Sequence, residues 1–335
     1  MKTRHCFFTS FNKAYAAQAI IMAESIRMHH GPEVQIYAVM VDKLDAIEKR
    51  YFDVFDEIID PENLNIPNFY AWIFGLDIIE AATAVKPFAL CYLLERYDQV
   101  TYLDPDTCVY SKLEEILDPS NSWDIALTPH QIEPKTERWL IESTELESLR
   151  FGAFNLGFLS VRSNDNGRSI ATWWRDRCYE YCIAEPERGL FTDQKFFDLA
   201  PALFRGVLVL RHSGYNVASW NLRERYLEFK DEALCANGIT LRFCHYTKAS
   251  HIGALALERM LLDGNFFLEL FYIYIQKLIE KREELTDLNL KWHYGYFSNG
   301  SKIDDQVRVK FRNLSDRFKY LNPFSQTFNF ECISN

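Results

Sequence analysis

Apolar residues form short runs that alternate with helically spaced segments along the first hundred residues. The run "HCFFT" at residues 5–9 predicts a buried strand, and apolar residues then follow at helical spacing from Ala16 to Ile26. The run "VQIYAVMVD" at 34–42 predicts a second strand, and "EIID" at 57–60 predicts a third. Strands that alternate with helices in this way predict a parallel, doubly wound α/β sheet.

Beyond residue 120 the pattern becomes mixed. Short apolar runs such as "AFNLGFLSVR" and "ITLRFCHY" predict strands, which are interrupted by the helical segment "IATWWRDRCYEYC". From Gly253 to about Leu285 the spacing is helical, and an aromatic and basic segment follows. The pattern predicts a mixed α/β domain over residues 1–252 and a C-terminal helical and basic-aromatic extension over 253–335.

Composition narrows the classes of function. A chain of 335 residues that is 48% hydrophobic can bury a substantial core. The formal net charge of -10 argues against nucleic acid as a partner, because neutralising phosphates requires clustered basic residues. The eight cysteines follow no zinc or disulfide spacing, so we expect reduced thiols.

Three segments bear on whether the protein contacts a membrane. The apolar stretch "FFLELFYIYIQKLI" at 266–279 is too short for a span and contains Glu269, so we expect a helix buried on one side. The N-terminus lacks the apolar stretch of a secretory signal, and we expect a cytoplasmic protein. Between Lys302 and Tyr320, basic residues alternate with apolar ones. We expect this tail to wrap the mixed α/β domain or to form a homodimer contact; peripheral binding at the inner face of the membrane is the alternative.

The segment "VTYLDPDTCVY" at residues 100–110 ends an apolar strand on Asp104 and Asp106. Two carboxylates at i and i+2 can bind one divalent cation if the backbone turns between them, and oxygen ligands suit Mg²⁺ or Mn²⁺. A solvated surface turn is the alternative for any such acidic pair. The position directly after a buried strand favours a site, because ligands of open α/β sheets bind beyond the carboxyl ends of strands.

The segment "RFCHYTKAS" ends a second apolar strand on His245, and Lys248 follows three residues later. By itself, His245 is typical of a strand-end histidine with satisfied hydrogen bonds. In combination with the two aspartates, a neutral imidazole can complete the coordination of a Mn²⁺-like ion. A nearby lysine can then neutralise a phosphate.

In this combination the chain resembles retaining glycosyltransferases of the GT-A fold, in particular family 8, which includes glycogenin and bacterial lipopolysaccharide galactosyltransferases. The resemblance covers about residues 4–250, and the segments follow in the order of the family. The closing segment reads "HYTKAS" where the family usually has "HxxGxxKPW". The matching segments are "CFFTSFNKAYAAQAIIMAESI", "VTYLDPDTCVY", "FNLGFLSVR", "TDQKFFD", "HSGYNVASWNL" and "CHYTKAS".

The resemblance implies a GT-A fold, which is a mixed sheet flanked by helices, and a set of site residues. The metal would be Mn²⁺ or Mg²⁺, and a nucleotide diphosphate sugar, with UDP as the expected nucleotide, would be the donor. The implied residues are Asp104, Asp106 and His245 for the metal; Thr9, Ser10, Tyr15, Lys86, Asp104 and Lys248 for the donor; Asp193, Gln194 and Asn155 for catalysis; and Gly157 beside the donor sugar.

The implied reaction transfers a hexose to a hydroxyl of a glycan acceptor with retention of configuration, in the synthesis of surface polysaccharide or lipopolysaccharide. A polar and aromatic cluster suits an acceptor sugar but equally suits a packed strand pair. Asp193 and Gln194 alternatively start a helix, and Asn155 alternatively satisfies backbone groups at a bulge. A glycoside hydrolase and a non-catalytic protein that binds nucleotide sugar or glycan are the rival functions. The cluster comprises His212, Tyr215, Asn216 and Trp220.

Overall fold

A seven-stranded mixed sheet forms the centre of the molecule, with strand order β10-β6-β7-β4-β1-β2-β3. The computed structural model describes residues 4–118, 120–249, 252–315, 317–319 and 321–325. The strands are β1 (His5–Phe11), β2 (Gln35–Met40), β3 (Glu57–Ile59), β4 (Gln99–Leu103), β5 (Thr107–Val109), β6 (Ile125–Pro129), β7 (Phe154–Arg162), β8 (Ala184–Glu185), β9 (Leu190–Phe191), β10 (Val207–Val209), β11 (Val217–Ala218), β12 (Leu227–Lys230), β13 (Ala233–Ala236), β14 (Ile239–Thr240) and β15 (Phe243–His245).

The direction of the strands changes at β7. Parallel pairs join β1 to β2 and β4, β2 to β3, and β6 to β10. The strand β7 runs antiparallel to both of its neighbours, β4 and β6. The predicted α/β class is confirmed: the first half of the sheet is the parallel arrangement that the alternating pattern predicted, and the second half makes the sheet mixed.

Two smaller features of strand pairing shape the region beyond the sheet edge. A three-stranded sheet in the order β11-β15-β5 forms there, and β15 pairs antiparallel with β5 so that His245 lies opposite Thr107. Between β6 and β7 the register shifts at Leu127/Thr128, and Thr128 pairs with Asn155 while Leu127 pairs with Leu159. The bulge leaves residues 156–158 of β7 without partners on β6.

Helices cover both faces of the sheet, and each face has its own apolar core. Because side chains alternate along a strand, Phe7 packs in one core and Phe8 in the other. The α-helices are α1 (Ala16–His30), α2 (Phe69–Phe74), α3 (Ile78–Ala84), α4 (Lys86–Leu94), α5 (Glu114–Leu117), α6 (Arg138–Leu140), α7 (Leu146–Phe151), α8 (Asp165–Tyr181), α9 (Ala200–Leu203), α10 (Ile252–Met260), α11 (Phe267–Glu284) and α12 (Asp305–Arg312). Short 3₁₀ helices span Lys13–Tyr15, Glu48–Phe52, Pro61–Leu64, Pro186–Arg188, Gln194–Leu199, His293–Gly295 and Arg317–Lys319, and a π turn spans Ile141–Glu145.

The C-terminal extension packs onto the sheet domain. The helix α11 contributes Phe267 and Leu270 to the same core as α1, which confirms the helix predicted over the apolar stretch at 266–279. In α12, the buried Arg308 donates to the carbonyl oxygens of Phe74, Leu76 and Tyr294. Within the ranges described, no helix has the length and apolar character needed to cross a membrane.

Other charges of the basic tail pair with the sheet domain. The guanidinium of Arg312 contacts Glu80 and Glu185, and that of Arg317 contacts Glu180. The predicted boundary at residue 252 therefore separates two segments that share apolar cores and ion pairs. Tyr320 lies outside the described residues.

The described cysteines are all free thiols, as predicted. They are Cys6, Cys91, Cys108, Cys178, Cys182, Cys235 and Cys244.

Candidate functional site

A cavity of about 220 Å³ opens where β1 and β4 end, beside the bulge of β7. Its wall includes Leu156 and Gly157 from the bulge. Most of the predicted donor, metal and catalytic residues line it, although they come from distant parts of the chain. These are Ser10, Tyr15, Lys86, Asp104, Asp106, Asp193, Gln194 and Lys248.

A tight turn after β4 brings the two aspartates together. The Thr107 amide and hydroxyl both donate to the Asp104 carbonyl oxygen, at 3.2 and 2.8 Å. Pro105 lies inside this turn, and the chain then enters β5, whose partner β15 carries His245. The Nε2 atom of His245 is 3.1 Å from Asp106 Oδ1 and 3.7 Å from Asp104 Oδ2.

These three side chains fit a divalent cation. One ligand atom from each of Asp104, Asp106 and His245 lies within 4.8 Å of the others. Two carboxylates and an imidazole are donors that Mn²⁺ accepts, and carboxylates also suit Mg²⁺. The cluster therefore matches the predicted metal site in both geometry and donor chemistry.

Lys86 links two carboxylates at the cavity wall. Its Nζ lies 3.1 Å from Asp104 Oδ1 and 3.4 Å from Asp193 Oδ2. Burial disfavours the charge of Lys86, but the two aspartates outweigh this effect and raise its pKa well above the ordinary value. The same charges act on Asp104: burial opposes ionisation, while Lys86 and His245 lower the pKa of its carboxyl.

The pKa values of Asp193 and His245 are both raised. Burial is the main reason why the pKa of Asp193 is raised, and Lys86 only partly compensates. For His245, burial disfavours the imidazolium, but Asp106 and Asp104 outweigh burial and raise its pKa. The site thus holds mixed charges close together, an arrangement typical of functional clefts.

The structure bears differently on the helix-start alternative for Asp193 and Gln194 and on the bulge alternative for Asn155. Asp193 and Gln194 occupy the N-cap and the first position of the 3₁₀ helix Gln194–Leu199, as the alternative expected, but the Asp193 side chain makes no capping hydrogen bond. Gln194 donates from Nε2 to the Phe151 carbonyl oxygen at 2.9 Å. Asn155 lies at the bulge, where its Oδ1 accepts from the Gly157 amide at 3.0 Å, and it is not among the residues that line the cavity. This agrees with the bulge alternative.

Several predicted residues lie behind the cavity. Thr9 is fully buried within β1, so it presents no surface to a nucleotide. Tyr215 packs against Phe158 and Phe243, and His212 contacts Glu115 through Nε2 at 3.2 Å.

The predicted acceptor cluster stays a prediction, although some of its members have packing or supporting contacts. Asn216 is buried and contacts His245, and Trp220 meets the His245 ring edge-on at 5.3 Å between centroids. The burial of Tyr215 and Asn216 agrees with the packed-strand alternative, whereas His212 and Trp220 are only partly buried.

The structure adds site residues that the sequence reasoning missed. Tyr102 donates from its hydroxyl to Asp104 Oδ1 at 2.6 Å, and Thr247 contacts His245 Nε2 through its hydroxyl at 3.0 Å. Tyr102 precedes Asp104 by two residues, so the period of a strand already places both on one face. His130 follows β6 directly, and only the tertiary structure shows its role.

No protein-family model matches the chain. Two uncharacterized proteins of Bacillus subtilis (strain 168), YfnF and YfnD, are similar in sequence. YfnF is 28% identical over 176 residues, and this match covers 51% of the chain but only 57% of YfnF. YfnD is 25% identical over 259 residues, covering 74% of the chain and 78% of YfnD.

The solved structures that are similar to this chain include several glycosyltransferases. The WbbM bifunctional glycosyltransferase in its apo structure has a TM-score of 0.46 and 15% identity, covering 86% of this chain and 52% of that one. An active-site mutant of LgtC has a TM-score of 0.45 and 17% identity, covering 87% and 99%. Mouse xyloside xylosyltransferase 1 has a TM-score of 0.42 and 14% identity, covering 74% and 99%. These likenesses concern the fold alone.

Proposed function

We propose that this protein is a metal-dependent, retaining glycosyltransferase that moves a hexose from a nucleotide diphosphate sugar to a glycan hydroxyl. The observation that carries the proposal is the convergence of Asp104, Asp106 and His245 at a cavity that also exposes Lys86 and Lys248. Carboxylates and imidazole bind a cation, and lysines neutralise phosphate. We further propose UDP as the nucleotide and surface polysaccharide or lipopolysaccharide as the product.

The metal site and the lysines both stabilise the departing diphosphate. Asp104, Asp106 and His245 would hold Mn²⁺ or Mg²⁺, which when bound supplies Lewis-acid stabilisation of phosphate charge. Lys86 keeps its proton because Asp104 and Asp193 face it, so it presents a fixed positive charge at the cavity wall. Charges that are already in place require no reorganisation when the leaving group becomes more negative.

The remaining lining residues orient the donor. Ser10 and Tyr15 line the cavity on the β1 side and suit the nucleoside. Asp193 and Gln194 line it on the side of the 3₁₀ helix and suit the sugar. The Gln194 amide is held by the Phe151 carbonyl, and a held side chain binds with a smaller loss of conformational entropy.

The test is the binding of Mn²⁺ and of nucleotide sugars, which is measured by the change in the melting temperature of the protein. We expect Mn²⁺ to raise the melting temperature further when UDP-hexoses are present, because ligands that bind only the folded state stabilise it by about 2.7 kcal/mol at a hundredfold excess over Kd. Asp106→Asn should abolish the Mn²⁺-dependent part. Asp176→Asn, which changes an exposed carboxylate on α8, is the matched control and should behave as the wild type.

The outcome also separates the rival functions. Sugar transfer or donor hydrolysis that stops with excess chelator supports the proposal. Full activity in the presence of chelator contradicts it, and metal-independent release of sugar from oligosaccharides indicates a glycoside hydrolase. Tight UDP binding with neither transfer nor donor hydrolysis across a broad acceptor panel indicates a non-catalytic binding protein.

A further inference from the structure

A row of polar side chains runs behind the cavity from His130 to His245. Asn155 donates from Nδ2 to His130 Nε2 at 3.2 Å, and its Oδ1 accepts from Asn216 Nδ2 at 3.0 Å. At the far end, His245 Nδ1 donates to Asn216 Oδ1 at 3.1 Å. The row therefore connects the proposed metal site to side chains that touch neither the cavity nor the two aspartates.

Backbone groups at two points determine the direction of these hydrogen bonds. The Gly157 amide can only donate, and it lies 3.0 Å from one amide atom of Asn155, which must therefore be the oxygen. The Gly152 carbonyl can only accept, and it lies 2.8 Å from His130 Nδ1, which must therefore carry a proton. A neutral His130 then accepts at Nε2 from Asn155 Nδ2, so both anchors require the same orientation of Asn155.

The neutral state of His130 agrees with its surroundings. Burial lowers the pKa of its imidazole to about 4. At neutral pH the ring therefore has one N–H and one lone pair, as the row requires.

The orientation of the Asn155 amide determines that of Asn216, which in turn determines the tautomer of His245. Because Asn155 Oδ1 faces Asn216, the atom of Asn216 on that side is Nδ2, which also donates to Thr128 Oγ1 at 2.9 Å. The oxygen of Asn216 then faces His245, whose Nδ1 must be protonated. Nδ1 keeps this proton in both charge states of the ring, so Nε2 is the nitrogen that can exchange a proton for a cation.

We infer that Asn155 and Asn216 are positioning residues that hold His245 in the tautomer whose Nε2 lone pair faces Asp104 and Asp106. The consequence for metal binding rests on the proposed function, whereas the tautomer itself does not. Partners of a metal-bound histidine fix its ring and tautomer, and their loss commonly weakens metal binding about tenfold to a hundredfold. The segment "FNLG" acquires a role here: Asn155 relays the orientation, and Gly157 supplies the N–H that sets it.

The first experiment compares two replacements of Asn155 that differ in the relayed oxygen. Asn155→Asp keeps an oxygen for the Gly157 amide and for Asn216 Nδ2, while its second oxygen meets His130 Nε2, which must then take up a proton; we expect its Mn²⁺ affinity to stay well above that of Asn155→Leu. Asn155→Leu has similar volume but no acceptor, and we expect its Mn²⁺ affinity to fall about tenfold to a hundredfold. Calorimetric Mn²⁺ titration of the folded variants measures both, and equal affinities for the two variants would overturn the inference.

The second experiment measures the tautomer of His245 directly in the wild-type protein, so it does not depend on whether the Asn155 variants fold. In metal-free wild-type protein labelled with ¹⁵N-histidine, the His245 ring is assigned by its absence from the spectrum of His245→Gln. We expect Nδ1 to stay protonated across the pH range in which the protein is folded; a neutral ring protonated at Nε2 would overturn the inference. A wild-type protein that binds no Mn²⁺ contradicts the proposed function, while the tautomer still decides the inference.

Discussion

Single residues at the cavity are placed by contacts that tolerate little change. Gly157 is the clearest case, because a Cβ added there would lie 2.5 Å from His245 Cε1 and 2.7 Å from Asn155 Oδ1. The His245 ring thus occupies the space that any side chain at position 157 would fill. A close approach of this kind explains the glycine by packing, with no need for a special backbone conformation.

Gly157→Ala should therefore displace His245 and weaken metal binding. Overpacking of this kind typically destabilises a protein by about 1–3 kcal/mol. Urea unfolding measures the stability, and Mn²⁺ titration measures the site. The control is Gly31→Ala, which has positive φ but open space around it. It should lose stability through backbone strain with no change in Mn²⁺ affinity, and a Gly157→Ala protein with unchanged Mn²⁺ affinity would contradict the prediction.

The half-buried His30 should make stability fall in mild acid. Burial, assisted by nearby positive charge, lowers the pKa of His30 to about 4, while an unfolded histidine titrates near about 6.5. At pH values between these two pKa values, His30 is protonated in the unfolded chain but neutral in the folded protein. The contribution to stability is thus complete above about pH 6.5 and is lost as pH falls toward 4, at about 1.4 kcal/mol per pH unit for one group.

The measurement is urea unfolding at several pH values between 6.5 and 5. In His30→Gln, the free energy of unfolding should change less steeply with pH than in the wild type. The difference in slope should correspond to the uptake of one proton. Carboxylates titrate equally in both proteins, so they cancel in the comparison. Identical slopes for the two proteins would show that His30 does not carry the effect.

At the scale of elements, helix α12 shows how a basic segment becomes part of the fold. Its Arg308 is buried and donates to the carbonyl oxygens of Phe74 and Leu76 at 3.0 and 2.9 Å, which are carbonyls at the end of α2 and just after it. A third bond joins it to the Tyr294 carbonyl at 2.7 Å. One guanidinium thus donates to three carbonyl oxygens that come from separate parts of the chain.

Arg308→Met should destabilise the protein by about 3–5 kcal/mol, because buried carbonyls lose their donors while the apolar stem is retained. Urea unfolding measures the change. Lys310→Met on the same helix removes an exposed positive charge and is the matched control, expected to change stability by less than about 0.5 kcal/mol. Comparable losses for both variants would contradict a specific role for Arg308.

At the scale of the whole molecule, the C-terminal extension and the sheet domain form shared cores. Trp292 donates from Nε1 to the Val41 carbonyl oxygen at 2.8 Å, and the His293 amide donates to Asp42 Oδ1 at 2.7 Å. Both contacts lie beyond β2, at the same sheet edge as the cavity. The extension therefore packs against the loop that follows β2.

The described chain should consequently unfold in one transition. Tryptophans labelled with ¹⁹F report on both segments: Trp174 lies in the sheet domain and Trp292 in the extension. Each resonance is assigned by its absence from the matching Trp→Phe variant. We expect equal urea midpoints for the two probes, since segments that share a core unfold cooperatively. Separate midpoints would show that the segments on either side of residue 252 are independent domains.

Local patterns determined much of this protein. Apolar periodicity predicted the α/β class, the long helix α11 and the strand that ends on Asp104 and Asp106, because side-chain period and burial are local properties of a sequence. The family resemblance implied Lys86, Asp193 and Gln194, and all three line the cavity. The strand that ends on His245 indicated that residue, which lies 3.1 Å from Asp106 Oδ1.

Only the tertiary structure decided which polar residues face the cavity and which support it. Thr9, Asn155 and Asn216 look like binding residues in the sequence, yet the sheet buries Thr9 and the β7 bulge places Asn155 behind His245. The register of β15 against β5 brings His245 to the aspartates, across more than a hundred residues of chain. Contacts at such separation depend on pairing and packing, which no local spacing encodes.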